Sequence, residues 1–235
     1  AKVVFLNAST LNSTWVLLNS AKDVWDGGLG SSSGQLGHNL MDHHFRAGAT
    51  GTAEGYEDKY YYGRRPNGVY IPRFQNIGSD KRDYLRGFGY QGSASRDGWS
   101  RDVAEMNIGG AFKDSLGEPG QWTMGINGFG EMLPYHENKV TLDTTRKDKW
   151  GLPVLAIDCE IKENEHKMRK DMMADAKEML EAAGLKNVHT WDNGYYPGMG
   201  IHEMGTARMG LDPKTSVLNK HNQMWDATNV YITDG

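Results

Sequence analysis

Two short apolar runs, one near each end of the chain, constrain the fold more than any other feature of the sequence. They are residues 3–6 and residues 230–232, and the second is followed at once by Asp234 and Gly235. An unbroken run of β-branched and aromatic side chains is typical of a buried strand in a parallel sheet. We therefore expect the two runs to pair in one sheet, with the intervening residues forming an inserted second domain.

The first run leads directly into a helical pattern. Residues 7–10 are polar, and Leu11, Trp15 and Leu18 then recur at the spacing of one helix face. A strand, a tight turn and a helix make up half of a βαβ unit, and such a strand needs neighbours on both sides. We therefore expect an α/β sheet at the two ends, and we expect the chain to be a piece of a longer protein.

The middle of the chain changes to the pattern of antiparallel strands. Large and small or polar side chains alternate with a period of two, which is typical of half-buried strands. The runs are residues 43–55, 83–96, 121–133, 138–143, 152–161 and 187–192. Residues 58–74 are aromatic and basic, and they predict a surface excursion, a pair of strands or a lid over a substrate pocket.

An amphipathic helix is predicted over residues 162–183. Its apolar stripe consists of Met168, Met172, Ala176, Met179, Leu180 and Ala183, and Gly184 ends it. Methionines at this spacing are typical of a packed core, because the flexible side chain fills irregular gaps. The middle of the chain is therefore expected to be α+β, with an antiparallel sheet packed by at least one helix.

Composition excludes several classes of function. The formal net charge is −4 and the pI is about 6.1, so the sequence offers no basic face for nucleic acid. No run approaches the roughly 18 apolar residues that a membrane-spanning helix needs. Cys159 is the only cysteine, which excludes a disulfide framework within the chain. The 30 glycines indicate many tight turns or a backbone that packs closely on a ligand.

The stretch "GIHEMGTARMG", residues 200–210, begins like a zinc-protease motif. Such a motif needs a second histidine four residues after the first, and Thr206 stands at that position. We therefore reject zinc at His202. The imidazole can instead act as a base near neutral pH, and the surrounding glycines would allow a flat ligand to approach. From the residues alone, a catalytic role and a structural role both stay open.

Two other patterns favour structural roles. His38 and Asp42 could chelate a metal from one helical turn, but no third ligand stands at a recognisable spacing. Residues 26–34, "DGGLGSSSG", resemble a dinucleotide-binding loop, yet Ser33 replaces the third glycine and no strand precedes it. We expect this segment to be a flexible connection, and no metal site is predicted.

Residues 200–235 resemble the C-terminal signature of the glucose–methanol–choline (GMC) flavoprotein oxidoreductases. The matching positions are His202, Gly205, Thr206, Arg208, Met209, Gly210, Asp212, Pro213, Ser216, Val217, Asn219, Asn229, Val230, Tyr231, Asp234 and Gly235. Residues 1–20 are similar to the family's strand–turn–helix beside the flavin, and "GQLGHNLMDHH" (residues 34–44) is similar to its G-x-N-L-x-D-H element. The resemblance looks nearest to the bacterial branch that includes gluconate and sugar dehydrogenases.

The resemblance implies an enzyme that binds FAD in a Rossmann-like domain and oxidises the CH–OH group of an alcohol, sugar or polyol. His202 would be the general base that takes the hydroxyl proton while a hydride leaves for the flavin. Asp234 and Gly235 would lie along the FAD, and Ala8 would lie near its adenosine end. The resemblance also implies domain limits: residues 1–40 and 200–235 would belong to the FAD-binding domain and residues 41–199 to the substrate domain.

Departures from the family limit these expectations. The family's N-terminal G-x-G-x-x-G element is absent, and its second catalytic residue would lie beyond Gly235. Residues 7–9 are Asn-Ala-Ser where the family usually has Ala-Gly. We therefore expect this chain alone to bind FAD weakly or not at all and to be inactive.

A non-enzymatic carbohydrate-binding or interaction module remains the alternative. Its sugar-stacking aromatics would be Trp99, Trp122 and residues 60–62. The sequence leaves open the substrate, the electron acceptor, the oligomeric state and the cellular location.

Overall fold

Short strands at the two ends of the chain pair in parallel, and longer strands between them form antiparallel pairs. The computed structural model describes residues 1–57, 68–96, 109–117 and 120–235. The elements within these residues are β1 (Val4–Phe5), α1 (Thr10–Leu18), β2 (His43–His44), β3 (Ala47–Ala53), β4 (Gly68–Ile71), β5 (Phe88–Arg96), α2 (Gly110–Gly117), β6 (Trp122–Glu131), β7 (Lys139–Lys147), β8 (Pro153–Asp158), α3 (Glu163–Ala182), β9 (Lys186–Asp192) and β10 (Val230–Tyr231). The predicted mixture of α/β and antiparallel structure is confirmed.

The chain divides into two units, each built from segments that are distant in sequence. Unit 1 contains Ala1–His43, Met132–Ile161 and Tyr196–Gly235, and unit 2 contains His44–Glu131 and Lys162–Tyr195. Unit 1 thus brings the two ends of the chain together with a middle segment, Met132–Ile161, that the resemblance had placed within residues 41–199. The division into an FAD-binding domain and a substrate domain stays a prediction.

Backbone pairing explains why the middle segment belongs to unit 1. Strands β7 and β8 form an antiparallel hairpin, as predicted for residues 138–143 and 152–161. The Val140 N–H donates to the Gly37 carbonyl at 2.8 Å, and the Leu40 N–H donates to the Asn138 carbonyl at 3.0 Å. The hairpin is thus an extension of the segment that follows α1. Alternating hydrophobicity identifies strands but does not identify their partners, so the sequence could not make this assignment.

The ends of the chain pair as predicted. In unit 1, β1 and β10 run parallel, with Val4 opposite Val230. Within the described residues, however, β1 pairs with β10 alone, and Phe5 is 67% exposed. The prediction that residues 3–6 are a buried strand is therefore wrong for Val3, Val4 and Phe5, all of which are exposed. A ladder of two strands leaves the side chains of Val4 and Phe5 uncovered.

Helix α1 presents polar residues to the interior of unit 1. Its buried positions are Thr10, Ser13, Thr14 and Leu17, whereas the predicted apolar stripe is only half-buried. The Thr14 hydroxyl lies 2.7 Å from that of Thr206, so the polar face is joined to the glycine-rich C-terminal stretch.

Residues 26–34 pack against α1 and are not a flexible connection. The Leu29 N–H donates to the Leu17 carbonyl at 3.0 Å. Gly28 has φ +90°, and a Cβ at this position would lie 2.5 Å from the Leu17 carbonyl oxygen. The glycine is therefore required by close packing of the backbone on the end of the helix.

Unit 2 is an antiparallel sheet with α3 packed on it. The strand order is β4-β5-β6-β3-β9. The predicted stripe is confirmed as core for Met168, Met172, Ala176 and Leu180, all of which are buried. Met179 is only partly buried, and Ala183, which follows the last residue of α3, is exposed. The prediction of a lid falls on residues 58–74, most of which lie outside the described residues. The described part includes β4, which pairs with β5.

None of the helices formed by the described residues has the length and apolar character needed to cross a bilayer.

Candidate active site

A buried carboxylate organises the segment that carries His202. Asp42 lies in unit 1 and is 3% exposed. Its Oδ2 accepts the backbone N–H groups of Gly198 at 2.9 Å and Gly200 at 2.8 Å. Its Oδ1 accepts those of His43 at 2.7 Å and His202 at 3.3 Å. Asp42 thus binds backbone amides, and His38, whose Nδ1 lies 2.7 Å from the His136 carbonyl, has a separate partner.

Several residues around His202 have a positive φ angle, the left-handed backbone conformation. Gly198 and Gly205 have φ near +96° and +97°, and Ile201 has φ +55°. A Cβ on Gly205 would lie 2.0 Å from the Asn39 carbonyl oxygen. The glycines in "GIHEMGTARMG" therefore let this segment lie directly against residues 39–42, where a side chain at Gly200 or Gly205 would overlap Asp42 or Asn39.

His202 and His43 line one pocket of unit 1. The pocket has a volume of about 630 Å³ and is lined by Ser9, Thr10, His43, Ile201, His202, Glu203, Met204, Asp234 and Gly235. The two imidazole rings meet edge to face, with their centroids 5.0 Å apart. The His202 side chain lies on the exposed surface of this pocket, where a hydroxyl group could reach it.

A second wall of the pocket joins the two ends of the chain. The Ser13 hydroxyl donates to Asp234 Oδ2 at 2.5 Å and accepts the Ala8 N–H at 3.0 Å. The Thr10 hydroxyl lies 3.0 Å from the Gly235 carbonyl oxygen. Ser9 and Thr10 from the start of the chain and Asp234 and Gly235 from its end therefore form one wall of the pocket.

Three of the predicted site residues, His202, Asp234 and Gly235, line the same pocket. The fourth, Ala8, does not line it and is linked to Asp234 through the Ser13 hydroxyl. Asp42 and His43 were not predicted as site residues, although both stand in the G-x-N-L-x-D-H element. Asp42 was expected to have a structural role, and no role was assigned to His43. Within the described residues, no group of three or more histidine, cysteine or acidic side chains is arranged to hold a metal ion.

The residues of this wall fit a flavin cofactor. Asp234 Oδ1 is buried and has no hydrogen-bond partner in the described parts of the chain, so a ligand that donates a hydrogen bond would satisfy it. A Cβ on Gly235 would lie 2.7 Å from the Glu203 carbonyl oxygen, so the backbone is closely packed there. Ser9 departs from the glycine expected at this turn and still takes φ +71°, a region that favours glycine. Asp234, Gly235 and the turn at Ala8 and Ser9 are the residues that would hold the cofactor.

Comparison with known proteins identifies relatives of this chain. Residues 134–235 match the family model described as GMC oxidoreductase. The chain is 33% identical over 245 residues to 2-methyl-1,2-propanediol dehydrogenase of Mycolicibacterium austroafricanum, covering 100% of the chain and 43% of that protein. It is 28% identical over 134 residues to the gluconate 2-dehydrogenase flavoprotein of Pantoea cypripedii, and this match covers 54% of the chain and 22% of that protein. It is 23% identical over 237 residues to the fructose dehydrogenase large subunit of Gluconobacter japonicus, and this match covers 100% of the chain and 42% of that protein. The chain spans less than half the length of each of these relatives.

Proposed function

Since the chain belongs to the GMC oxidoreductase family through residues 134–235, we propose that it is the C-terminal part of an FAD-dependent dehydrogenase or oxidase. The substrate would be the CH–OH group of an alcohol, sugar or polyol. Unit 1 would belong to the FAD-binding side, with a Rossmann-like sheet in the whole protein, and unit 2 would form the substrate side.

The names of the relatives support a polyol substrate. One relative is a propanediol dehydrogenase, another is a gluconate 2-dehydrogenase flavoprotein and a third is a fructose dehydrogenase subunit. In each name the compound carries neighbouring oxygen functions. We therefore propose a small molecule with vicinal hydroxyl groups as the substrate of the whole protein.

His202 would act as the general base. When bound, FAD would supply the hydride acceptor, which no amino-acid side chain offers. The His202 imidazole would accept the proton of the substrate hydroxyl, because an oxygen that has lost its proton makes the adjacent C–H a better hydride donor. A positioned base of this kind contributes about 10²–10⁴-fold to the rate.

One observation carries the proposal: His202 lies in the same pocket as Asp234, whose buried Oδ1 has no hydrogen-bond partner in the described residues. A base on one side and an unsatisfied acceptor on the other suit a hydroxylated substrate and a cofactor that donates hydrogen bonds.

The test is the visible spectrum of the full-length protein. The proposal predicts flavin absorption that bleaches when a vicinal diol is added without oxygen. A full-length protein without flavin, or a bound flavin that no alcohol, sugar or polyol reduces, would contradict it.

A carbohydrate-binding module is the second candidate, and a pocket within unit 2 favours it. Its volume is about 520 Å³, and Trp122 and Tyr56 lie in its lining. Trp122 Nε1 is buried and has no hydrogen-bond partner in the portion of the chain that the structure describes, so it could donate to a sugar hydroxyl. The other aromatics of this hypothesis, Trp99 and residues 60–62, lie outside the described residues. A colourless full-length protein that binds sugars, and loses this binding on Trp122→Phe, would favour the second candidate.

A further inference from the structure

One carboxylate oxygen is shared by both histidines of the pocket in unit 1. Asp42 Oδ1 accepts the backbone N–H of His43 at 2.7 Å and that of His202 at 3.3 Å. The two residues come from distant parts of the chain, yet their rings meet edge to face at 5.0 Å. Asp42, which is 3% exposed, therefore fixes the backbone positions from which both imidazole side chains extend.

The other oxygen of Asp42 shapes the approach to His202. Asp42 Oδ2 accepts the N–H groups of Gly198 and Gly200 at 2.9 and 2.8 Å. A Cβ on Gly200 would lie 2.3 Å from Asp42 Oδ1, so the backbone passes directly over the carboxylate. Ile201 then takes φ +55°, which is rare for a β-branched residue and persists only where surrounding contacts impose it. The hydrogen bonds that Asp42 accepts from the Gly200 and His202 N–H groups, on either side of Ile201, are such contacts.

We infer that Asp42 is a positioning residue, whose carboxylate serves as a template for the backbone of residues 198–202 and thereby sets the place of the His202 imidazole. The inference rests on the proposed function, because it assigns a catalytic consequence to the place of His202. Asp42 does not line the pocket, so it acts through the backbone and not on the substrate. A carboxylate suits this role because an ionised carboxyl group only accepts hydrogen bonds and can accept several at once.

The direct test is Asp42→Asn in the flavin-loaded full-length protein. The amide keeps the size of the side chain but directs an NH₂ donor toward backbone N–H groups. We expect backbone amides of residues 198–202 to exchange hydrogen faster. We also expect flavin reduction at saturating substrate to slow about 10²-fold, which is the scale for displacement of a reacting group by about 1 Å. The substrate concentration for half-maximal rate should change little.

Asp192→Asn is a matched control in unit 2. Asp192 Oδ1 also accepts a glycine N–H, from Gly194 at 2.9 Å, and its carboxylate also bonds a buried partner, Arg169. Asp192→Asn should therefore reproduce a general loss of stability without slowing flavin reduction.

A glycine pair keeps the inference testable if Asp42→Asn does not fold. Gly198 and Gly194 both have positive φ, both donate their N–H to an aspartate at 2.9 Å, and a Cβ on either would meet nothing within 4 Å. Gly198→Ala should slow flavin reduction at least tenfold, whereas Gly194→Ala should leave it unchanged.

The outcomes separate this inference from the proposed function. If Asp42→Asn and Gly198→Ala reduce flavin at the wild-type rate while His202→Ala does not, the template role is wrong and the base is retained. A slowing of equal size in Asp42→Asn and Asp192→Asn would also overturn the template role. If His202→Ala is itself fully active, the proposed function fails regardless of Asp42.

Discussion

Met41 and Met204 exchange two backbone hydrogen bonds, with N–O distances of 2.9 and 3.0 Å. This pair joins the segment that carries Asp42 to the segment that carries His202, within unit 1. The site therefore depends on a contact between two loops and not on one continuous element. Packing at this junction should determine both the stability of unit 1 and the place of the imidazole.

Gly205→Ala tests this junction. Gly205 has φ +97°, and an added Cβ would lie 2.0 Å from the Asn39 carbonyl oxygen. Gly34 also has positive φ, but a Cβ there would meet nothing within 4 Å. Gly34→Ala should cost about 1–2 kcal/mol from backbone strain, and Gly205→Ala should cost about 1–3 kcal/mol more from the steric overlap. Urea unfolding measures both free energies, and equal losses would show that the close approach to Asn39 is unimportant.

Asp234→Asn tests the cofactor wall. The substitution converts one carboxylate oxygen into a donor, so the affinity of the full-length protein for FAD should fall about tenfold or more, as for loss of a hydrogen bond to a charged group. Asp226→Asn is the control, because Asp226 likewise accepts a serine hydroxyl, from Ser32 at 2.5 Å, but does not line the pocket. Flavin retained per protein after dialysis distinguishes the two, and equal retention would remove Asp234 from the cofactor site.

Met172→Ala tests the core of unit 2. The Met172 side chain is fully buried under the sheet, whereas Met179, on the same helix, is only partly buried. Removal of the buried side chain should cost about 2–5 kcal/mol in the free energy of unfolding. Met179→Ala should cost less, and a larger loss for Met179 would contradict the packing of α3.

Much of the fold follows from local sequence patterns. The pairing of the two ends and the core stripe of α3 were both predicted from apolar spacing, which directly reflects the geometry of strands and helices. The place of residues 132–161 in unit 1 was not predicted, because strand partners depend on contacts between distant segments. Phe5 was predicted to be buried, but the described residues place no strand beyond β1.

The candidate site was predictable only in part. His202, Asp234 and Gly235 were found through the family resemblance, which preserves the order of residues along the chain. Asp42 was considered as a metal ligand and was expected to have a structural role, but its backbone partners were not predicted. A carboxylate that accepts backbone N–H groups from a distant loop leaves no periodic signal, since any residue type can supply the amide.

The pH dependence of unit 2 stability should include a contribution from Asp192. Burial alone raises the pKa of this carboxyl, but hydrogen bonds from the Arg169 guanidinium and the Gly194 N–H outweigh burial and lower the pKa below its ordinary 3.8. A lowered folded pKa means that the contribution is fully present above about pH 5, and it is lost as the pH falls below about 4 through the folded pKa.

Asp192→Asn should therefore destabilise the protein by about 1–2 kcal/mol at neutral pH, a value reduced by the partial exposure of the carboxylate. The difference from wild type should shrink in acid. Thermal melts between pH 3 and pH 7 measure it, and a difference that stays constant over that range would contradict the assignment.

The anaerobic rate of flavin reduction by a vicinal diol, measured in the full-length His202→Ala protein, decides whether His202 is the base. We expect flavin to stay bound, because His202 is not part of the cofactor wall, and the rate to fall about 10²–10⁴-fold. His43→Ala, in the same pocket, should retain more activity than His202→Ala. Flavin reduction by His202→Ala at the wild-type rate would contradict the role of His202 as the base.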